Sequence, residues 1–240
     1  MVQRINLWSS PRNISTALMY SFANRTDCQV HDEPLYAHYL HVSGKAHPGR
    51  KEILKSQSQN GNQVIQDILL KKAPTKPVQL FKQMTHHLVQ LNMNFLTEMK
   101  NVLLIRDPAE IIFSYGKVID HIEMEDIGIA AQAELMEHLE KVNAFHGVLD
   151  AKELLLDPEK VLKQLCQQVD IPFEDRMLEW AAGAQPEDGV WAPYWYANVH
   201  RSRGFQTYRK RNVVLNPAQA QLNAICQPIY ATLYECAIKA

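Results

Sequence analysis

The seven residues VLLIRDP, numbered 102–108, decide the fold class of this chain. The apolar run Val102–Ile105 is uninterrupted, which is typical of a strand buried on both faces of a parallel sheet. A helix start follows at once, because Asp107 is a good N-cap and Pro108 suits the first helical position. Glu110 stands where a capping box places an acidic residue. A buried strand that leads directly into a helix predicts an α/β fold.

The alternation of strands and helices continues on both sides of this segment. Further strands are predicted at Ile5–Leu7, Cys28–Val30, Val78–Phe81 and Val148–Ala151. Helices are predicted from Ser15, over Val64–Leu69, Leu88–Phe95 and Ala130–His146, after Asp157-Pro158, and from Asn216 with a disturbance at Pro228. This order favours a central parallel sheet with helices on both faces. Ligands bind such folds outside the carboxyl ends of the strands.

Composition and charge limit the class of protein. The chain has 240 residues, of which 46% are hydrophobic, so we expect one domain spanning residues 1–240. The formal net charge is −1, which does not favour binding to nucleic acid or to an anionic membrane. No apolar run approaches the roughly 20 residues that a membrane-spanning helix needs.

The four cysteines, Cys28, Cys166, Cys226 and Cys236, do not form a C-x-x-C pair. Their spacing predicts neither a disulfide framework nor a zinc site, and no other metal site is expected. Reduced thiols and the lack of a signal-peptide pattern at the N-terminus favour a cytoplasmic protein.

The segment Ser10–Thr16 follows the first strand and begins the first helix. Unpaired backbone N–H groups at a helix N-terminus attract anions. Arg12 can add a bidentate contact to a phosphate, and Ser15 and Thr16 can donate hydroxyl hydrogen bonds. A simple turn before a capped helix explains the segment equally well. It contains no glycine, so it is not the Gly-x-x-x-x-Gly-Lys-Ser/Thr loop of ATPases.

A second candidate anion site follows strand 102–105. The strand brings Arg106 to the binding edge of the sheet, and Ser114 lies about two turns along the next helix. Together they can hold a phosphate from two sides. The alternative is that Asp107-Pro108 only starts a helix and that Arg106 is a surface residue.

These two segments, in this order, resemble the cofactor-binding motifs of sulfotransferases that use 3′-phosphoadenosine 5′-phosphosulfate (PAPS). The resemblance implies a P-loop NTPase-like three-layer sandwich and PAPS as cofactor. It implies that Arg12, Asn13, Ile14, Ser15 and Thr16 bind the 5′ end of PAPS, that Arg106 and Ser114 bind its 3′-phosphate, and that Arg203 and Gly204 close over the nucleotide. The family usually has glycine at the position of Ile14, and a branched side chain there would narrow the approach of a phosphate.

The segment Phe81–His87 resembles the strand and loop that carry the catalytic base of the family. The resemblance implies that His86 is the general base, with His87 as a second candidate that contacts the acceptor. Lys82 and Arg12 would stabilise the leaving group. Two surface histidines in a loop are the alternative.

Asp32-Glu33-Pro34 and an aromatic segment are the remaining candidates for an acceptor site. Glu33 either orients the acceptor, serves as an alternative base, or belongs to a plain turn. Trp191, Tyr194, Trp195 and Tyr196 either line an apolar acceptor site or pack under a long loop.

The sequence therefore predicts a PAPS-dependent sulfotransferase that acts on a hydroxyl or amine of a small molecule. A small-molecule kinase of the P-loop class, or a nucleotide-binding protein without catalysis, are the alternatives. A pyridoxal-phosphate aminotransferase is the fourth and least favoured hypothesis, because the sequence contains no phosphate-binding loop typical of such enzymes. The identity of the acceptor and the oligomeric state are left open.

Overall fold

The computed structural model describes residues 2–117, 121–210 and 212–240. These residues contain one five-stranded sheet, with the strand order β2-β3-β1-β4-β5 and every neighbouring pair parallel. The strands are β1 Gln3–Ser9, β2 Cys28–Asp32, β3 Val78–Met84, β4 Lys100–Ile105 and β5 Phe145–Asp150. All five predicted strands are present, each longer than the sequence pattern indicated or shifted by a few residues.

The helices lie between and after the strands. They are α1 Ser15–Ala23, α2 Tyr36–Ser43, α3 Arg50–Ser56, α4 Gly61–Val64, α5 Pro108–Tyr115, α6 Met124–Ile127, α7 Ile129–Lys141, α8 Ala151–Leu156, α9 Pro158–Gln168, α10 Ala192–Trp195 and α11 Pro217–Glu235. A π-helical turn at Ile65–Leu69 extends α4. Short 3₁₀ turns occur at Thr85–His87, Met93–Glu98, Asp175–Leu178 and Val199–Arg201. None of the helices within the described ranges is both long and apolar enough to cross a membrane.

Two predicted helices were too long, and a left-handed backbone residue limits each of them. The helix predicted to reach His146 ends at Lys141, and Asn143 then adopts φ 54° before β5 begins. The helix predicted over Leu88–Phe95 is reduced to the 3₁₀ turn from Met93, because Gln90 adopts φ 50°. By contrast, α11 continues past Pro228, where both Pro228 and Ala224 are exposed, so solvent can hydrogen bond to the carbonyl group that proline leaves unpaired.

The sheet has two buried faces because neighbouring residues along each strand point to opposite sides. Leu7 and Leu104 pack with α1 and α9 in one core cluster. Trp8 and Leu103 pack with α5, α7 and α11 in another. The predicted fold class, a parallel sheet covered by helices on both faces, is confirmed.

The strand order positions the candidate site. In β3, Lys82 pairs in register with Asp32 of β2 on one side and with Leu7 of β1 on the other. The carboxyl ends of β1, β2, β3 and β4 therefore meet at one edge of the sheet, and the loops that follow them carry the predicted site residues.

Candidate active site

The loop between β1 and α1 is anchored by hydrogen bonds to neighbouring elements. Arg12 has a left-handed backbone with φ 58°, and its carbonyl group accepts a hydrogen bond of 2.8 Å from Nη1 of Arg106. Asn13 donates from Nδ2 to the carbonyl group of Leu104 at 2.9 Å and accepts from the N–H of Ile14 at 2.9 Å. A strained residue that is fixed by several contacts is common at functional sites.

Ile14 does not need the freedom of glycine in this loop. Its φ is −96° and its ψ is 22°, which any L-residue can adopt, because the left-handed position is two residues earlier at Arg12. As the N-cap of α1, Ile14 provides no side-chain hydrogen bond to the first turn of the helix. Beyond the N–H of Ile14, which Asn13 accepts, the first turn of α1 has no side-chain cap, so its N–H groups are left for another acceptor.

The two predicted anion motifs meet in space. Arg12 donates from Nε to Oγ of Ser114 at 3.1 Å, across 102 positions of sequence. Arg106 is bound to Oε2 of Glu110 at 2.9 Å from Nε and at 2.5 Å from Nη2. Arg12, Arg106 and Ser114 line one open depression together with Asn13, Ile14 and Thr16.

The C-terminal segment reaches this depression with one of its two predicted residues. Gly204 lines the depression and forms a strand bridge with Glu179, and a Cβ atom added to it would lie 2.8 Å from the carbonyl oxygen of Leu178. Arg203 is exposed and does not line the depression, so its assignment stays a prediction. Arg209 and Lys210, which the sequence analysis did not single out, lie beside Arg106 in an adjoining depression. The sequence indicated these two residues only by placing two basic side chains next to each other.

Lys82 is the centre of a buried charge cluster. Its side chain is fully buried and Nζ donates to Oδ1 of Asp32 at 2.8 Å, to Oε1 of Glu33 at 2.5 Å and to the hydroxyl of Tyr196 at 2.7 Å. Burial alone would lower the pKa of Lys82, but the carboxylates of Asp32 and Glu33 raise it well above its usual value. Lys82 is therefore charged, and its three N–H groups are all used.

Asp32 and Glu33 are each fixed by contacts from distant parts of the chain. Asp32 accepts from the hydroxyl of Tyr196 at 2.8 Å and from the N–H of Gly189 at 3.0 Å. Glu33 has a left-handed backbone with φ 42°, and its N–H donates to the carbonyl group of Lys82 at 2.9 Å. Its own carbonyl group accepts from Gln57 Nε2 at 3.1 Å. A strained backbone conformation that hydrogen bonds hold in place is common at functional sites. Glu33, like Arg12, is therefore a candidate functional residue.

His87 is stacked between two tyrosines. Its ring centroid lies 4.9 Å from that of Tyr36 and 4.8 Å from that of Tyr39, and neither ring nitrogen has a hydrogen-bond partner among the described residues. Nε2 lies 3.9 Å from Oε2 of Glu33. Burial, followed by the charge of neighbouring groups, lowers the pKa of His87 well below its usual value, so the ring is neutral at pH 7.

His86 contacts the edge of Tyr39, with ring centroids 4.8 Å apart. Burial lowers the pKa of His86 to about 3. The ring is therefore neutral at pH 7, with its lone pair free, and it is a weaker base than a free imidazole.

These side chains line a cavity with aromatic walls. The cavity is lined by Arg12, Glu33, Lys82, His86 and His87, and by Tyr36, Tyr115, Trp191, Trp195 and Tyr196. Tyr194 of the predicted aromatic group lies instead against Gly49 and is half exposed. His47, whose Nδ1 lies 2.7 Å from the Tyr36 hydroxyl, and Tyr115 also line the cavity and were not identified from sequence.

The cavity and the depression are adjacent and share part of their walls. Both are lined by Arg12, Asn13, Thr16, Trp195 and Tyr196. The depression offers guanidinium groups and a helix N-terminus, while the cavity offers the carboxyl group of Glu33 and three neutral imidazoles. Such a pair of spaces can hold an anionic group beside a small molecule whose proton must be removed.

Comparisons with known proteins bear on the family and the fold. A family model described as "Sulfotransferase domain" matches residues 3–235. Among solved structures, the chain resembles a sulfotransferase domain from the curacin biosynthetic pathway, with a TM-score of 0.53, 17% identity and 98% coverage of both chains. It also resembles a sulfotransferase from Alicyclobacillus acidocaldarius, with a TM-score of 0.55, 11% identity and coverage of 98% of this chain and 95% of that one.

A third solved structure is mouse sulfotransferase SULT7A1 complexed with PAP, with a TM-score of 0.52, 14% identity and coverage of 98% of this chain and 90% of that one. At these identities the three structures show a shared fold.

Two curated relatives come from Arabidopsis thaliana. The branched-chain-amino-acid aminotransferase-like protein 1 is 40% identical over 206 residues, which is 86% of this chain and 37% of that protein. Protein 2 of the same name is 37% identical over 231 residues, which is 95% of this chain and 41% of that protein. The chain thus spans about two fifths of the length of these relatives, and the aminotransferase in their names is not carried over to it.

Proposed function

The chain belongs to the sulfotransferase domain family, and on this premise we propose that it transfers a sulfuryl group from PAPS to a hydroxyl or amine of a small-molecule acceptor. The observation that carries the proposal is the shared wall of the two spaces. Arg12 and Thr16 line both the depression, which offers donors for anions, and the cavity, which is also lined by His86. A donor nucleotide and an acceptor would therefore meet beside Arg12.

The donor groups of the depression fit a nucleotide with phosphate groups at two ends. PAPS, when bound, supplies the activated sulfuryl group. We assign its 5′ end to Arg12, Asn13, Ile14, Ser15 and Thr16 at the N-terminus of α1, and its 3′-phosphate to Arg106 and Ser114. Gly204 would border the nucleotide, and the mouse relative bound to PAP, the desulfated form of PAPS, supports this class of ligand.

His86 is the residue that we propose as general base. Its ring lines the cavity and is neutral, so it can take the proton that the acceptor loses. For Lys82 we propose a role that differs from the one implied by the resemblance. Because its three N–H groups are bound to Asp32, Glu33 and Tyr196, it orders the floor of the cavity, and the charge of the leaving group falls to Arg12.

Calorimetric titration with 3′,5′-adenosine bisphosphate tests the nucleotide assignment. We expect the bisphosphate to bind more tightly than ATP with magnesium. Arg12→Ala should weaken bisphosphate binding by at least about tenfold, since a charge-assisted bidentate contact contributes roughly 1.5–3 kcal/mol. Arg176→Ala, which changes an exposed arginine paired with Glu174, is the matched control and should leave binding unchanged.

Arg106→Ala separates the two ends of the nucleotide. Because Arg106 also holds the carbonyl group of Arg12, some loss is expected even for 5′-AMP, with a larger loss for the bisphosphate. An equal loss for both ligands would remove the 3′-phosphate assignment. Preference for ATP would favour the kinase alternative, and no binding of either nucleotide would contradict the proposal.

His86→Ala tests catalysis separately from binding. The variant should bind the bisphosphate like the wild type and lose transfer of sulfuryl groups in an assay with a panel of acceptors. Retained turnover would move the base to His87 or Glu33. Tight bisphosphate binding without transfer by the wild type to any acceptor would favour a nucleotide-binding protein without catalysis.

A further inference from the structure

Arg12 differs from the two other lysine or arginine side chains that line the depression and the cavity. Arg106 is paired with Glu110, and Lys82 is paired with two carboxylates. Arg12 forms no ion pair with the residues that the structure describes, and its one side-chain hydrogen bond there runs from Nε to Oγ of Ser114 at 3.1 Å. The four N–H donors on its terminal nitrogens are therefore left for a ligand.

The guanidinium group of Arg12 is not in a place that it would keep without support. Burial lowers the pKa of Arg12, Tyr115 raises it, and the charge of Arg106 lowers it. Both arginines stay charged near neutrality, so two like charges repel each other in this depression. A long side chain also has many rotamers, and ordering it costs entropy. The hydrogen bond to Ser114 opposes both effects.

Ser114 belongs to a part of the molecule that is well fixed. It lies in the last turn of α5, a helix that Asp107 caps and that buries Ile111 and Ile112 in the core. Arg12 lies in a loop and has a left-handed backbone. The helix thus supplies a fixed point, and the side chain from the loop is held against it.

The hydroxyl group of Ser114 can serve two partners at once. Its oxygen accepts from Arg12, while its hydrogen makes no hydrogen bond to the residues of the described ranges. That hydrogen is therefore available to the 3′-phosphate, and the lone pair still holds Arg12. A hydroxyl that donates to an anion also becomes a better acceptor, so the two contacts support each other.

The position of Arg12 gives this contact its significance. Arg12 lines both the depression and the cavity, whereas Ser114 lines the depression. The 5′ end of the donor has to lie at this junction if its sulfuryl group is to meet an acceptor beside His86.

From these contacts we propose that Ser114 is a positioning residue for the 5′ end of the donor, because it holds the guanidinium group of Arg12 at the junction of the two spaces. This role goes beyond the assignment of Ser114 to the 3′-phosphate. It rests on the proposed function for the identity of the nucleotide.

Adenosine 5′-phosphosulfate and adenosine 3′-monophosphate separate the two roles, because each carries one end of PAPS. Binding of both to the wild type and to Ser114→Ala is measured by NMR titration, which reaches millimolar Kd values. A residue that only binds the 3′-phosphate would weaken the 3′-monophosphate alone. We expect adenosine 5′-phosphosulfate to lose at least about fivefold in affinity as well, since a hydrogen bond to a charged group is removed. Ser43→Ala, at the exposed end of α2, is the matched control and should change neither.

Two further variants distinguish positioning from a loss of structure. Ser114→Thr restores a hydroxyl group and should recover most of the affinity for adenosine 5′-phosphosulfate. In an Arg12→Ala background, Ser114→Ala should change that affinity by less than about twofold, because the side chain that it holds is absent. An equal loss with and without Arg12 would contradict the proposal. Alanine is a better helix former than serine, so Ser114→Ala should stay folded, as circular dichroism can verify.

The contact itself has a spectroscopic signature that needs no ligand. The Nε–H of Arg12 should exchange slowly with solvent in the wild type and faster in Ser114→Ala, as measured by NMR on the arginine side chains. Equal exchange in the two proteins would show that Ser114 does not hold Arg12.

The two proposals can fail separately. Unchanged binding of adenosine 5′-phosphosulfate by Ser114→Ala, with tight binding of the bisphosphate by the wild type, would contradict this inference and leave the proposed function intact. A loss in Ser114→Ala, with preference of the wild type for ATP over the bisphosphate, would contradict the proposed donor and leave Ser114 as a positioning residue. Failure of the wild type to bind any of these nucleotides would contradict both.

Discussion

Arg106 and Lys82 are both cations at the carboxyl edge of the sheet, but the protein uses them in different ways. Arg106 binds Glu110 and the carbonyl group of Arg12, its side chain keeps 14% exposure, and its two terminal nitrogens each carry a further hydrogen. Lys82 has no exposed surface, and Asp32, Glu33 and Tyr196 take its three hydrogens. Sign of charge alone therefore does not identify an anion ligand. A cationic side chain can bind an anion only if some of its N–H donors are not already used in hydrogen bonds within the protein.

Lys82→Met gives the largest effect that follows from this comparison. Removing the ammonium group leaves two carboxylates buried without their shared partner, and breaking a buried pair in this way costs about 3–5 kcal/mol. We expect the free energy of unfolding, measured by urea denaturation, to fall by that amount. Lys141→Met, which removes an exposed partner of Glu137, is the control and should cause little change. Equal stability of the two variants would show that Lys82 is not the centre of an ionic cluster.

His87→Phe tests the buried surroundings of Lys82 through the pH dependence of stability, because His87 is a buried neutral side chain near this cluster. The folded-state pKa of His87 is lowered well below 6.5, so the unfolded state binds a proton below pH 6.5 while the folded state does not. Stability conferred by neutral His87 is therefore present above pH 6.5 and is lost as the pH falls, with a slope of up to about 1.4 kcal/mol per pH unit. Phenylalanine should make this slope shallower between pH 6.5 and 4.5, as measured by urea unfolding at several pH values.

The control for this measurement is His41→Phe, because His41 is exposed on α2. It should leave the acid slope as it is in the wild type. A slope that is the same in His87→Phe and in the wild type would mean that His87 gains its proton in the folded state as readily as in the unfolded state.

Ile14→Gly has the smallest expected effect. It tests whether the side chain of Ile14 affects anion binding by the loop that contains Arg12. Because Ile14 has a negative φ and Arg12 carries the left-handed conformation, glycine gains nothing by its freedom at position 14. Bisphosphate affinity measured by calorimetry should change by less than about threefold. An increase well beyond that would show that the branched side chain obstructs the phosphate.

The fold was predictable where a pattern is repeated. The apolar run Val102–Ile105 and the cap at Asp107 predicted β4 and α5, and the structure has both, with Asp107 accepting from the N–H of Ala109. Helix ends were less predictable, because left-handed residues such as Asn143 and Gln90 are not glycine and give little signal in a single sequence.

The candidate site was predictable as a set of residues but not as a set of contacts. Arg12, Lys82, His86 and Glu33 line one cavity, as expected from positions at or after the carboxyl ends of neighbouring strands. The contacts of Tyr196 with Lys82 and Asp32 cross 114 and 164 positions, and no local pattern encodes such distances. For the same reason, His47 in the loop after α2 and Tyr115 at the end of α5 escaped detection.

The bonds that Asp32 makes to Gly189 and Tyr196 also bear on kinetics. They join parts of the chain that are 157 and 164 positions apart, and contacts of such separation require closure of a long loop before they stabilise anything. We therefore expect the wall formed by Tyr196 to close late on the folding pathway, after the sheet has formed. A ligand in the cavity would then slow unfolding while leaving the refolding rate nearly unchanged.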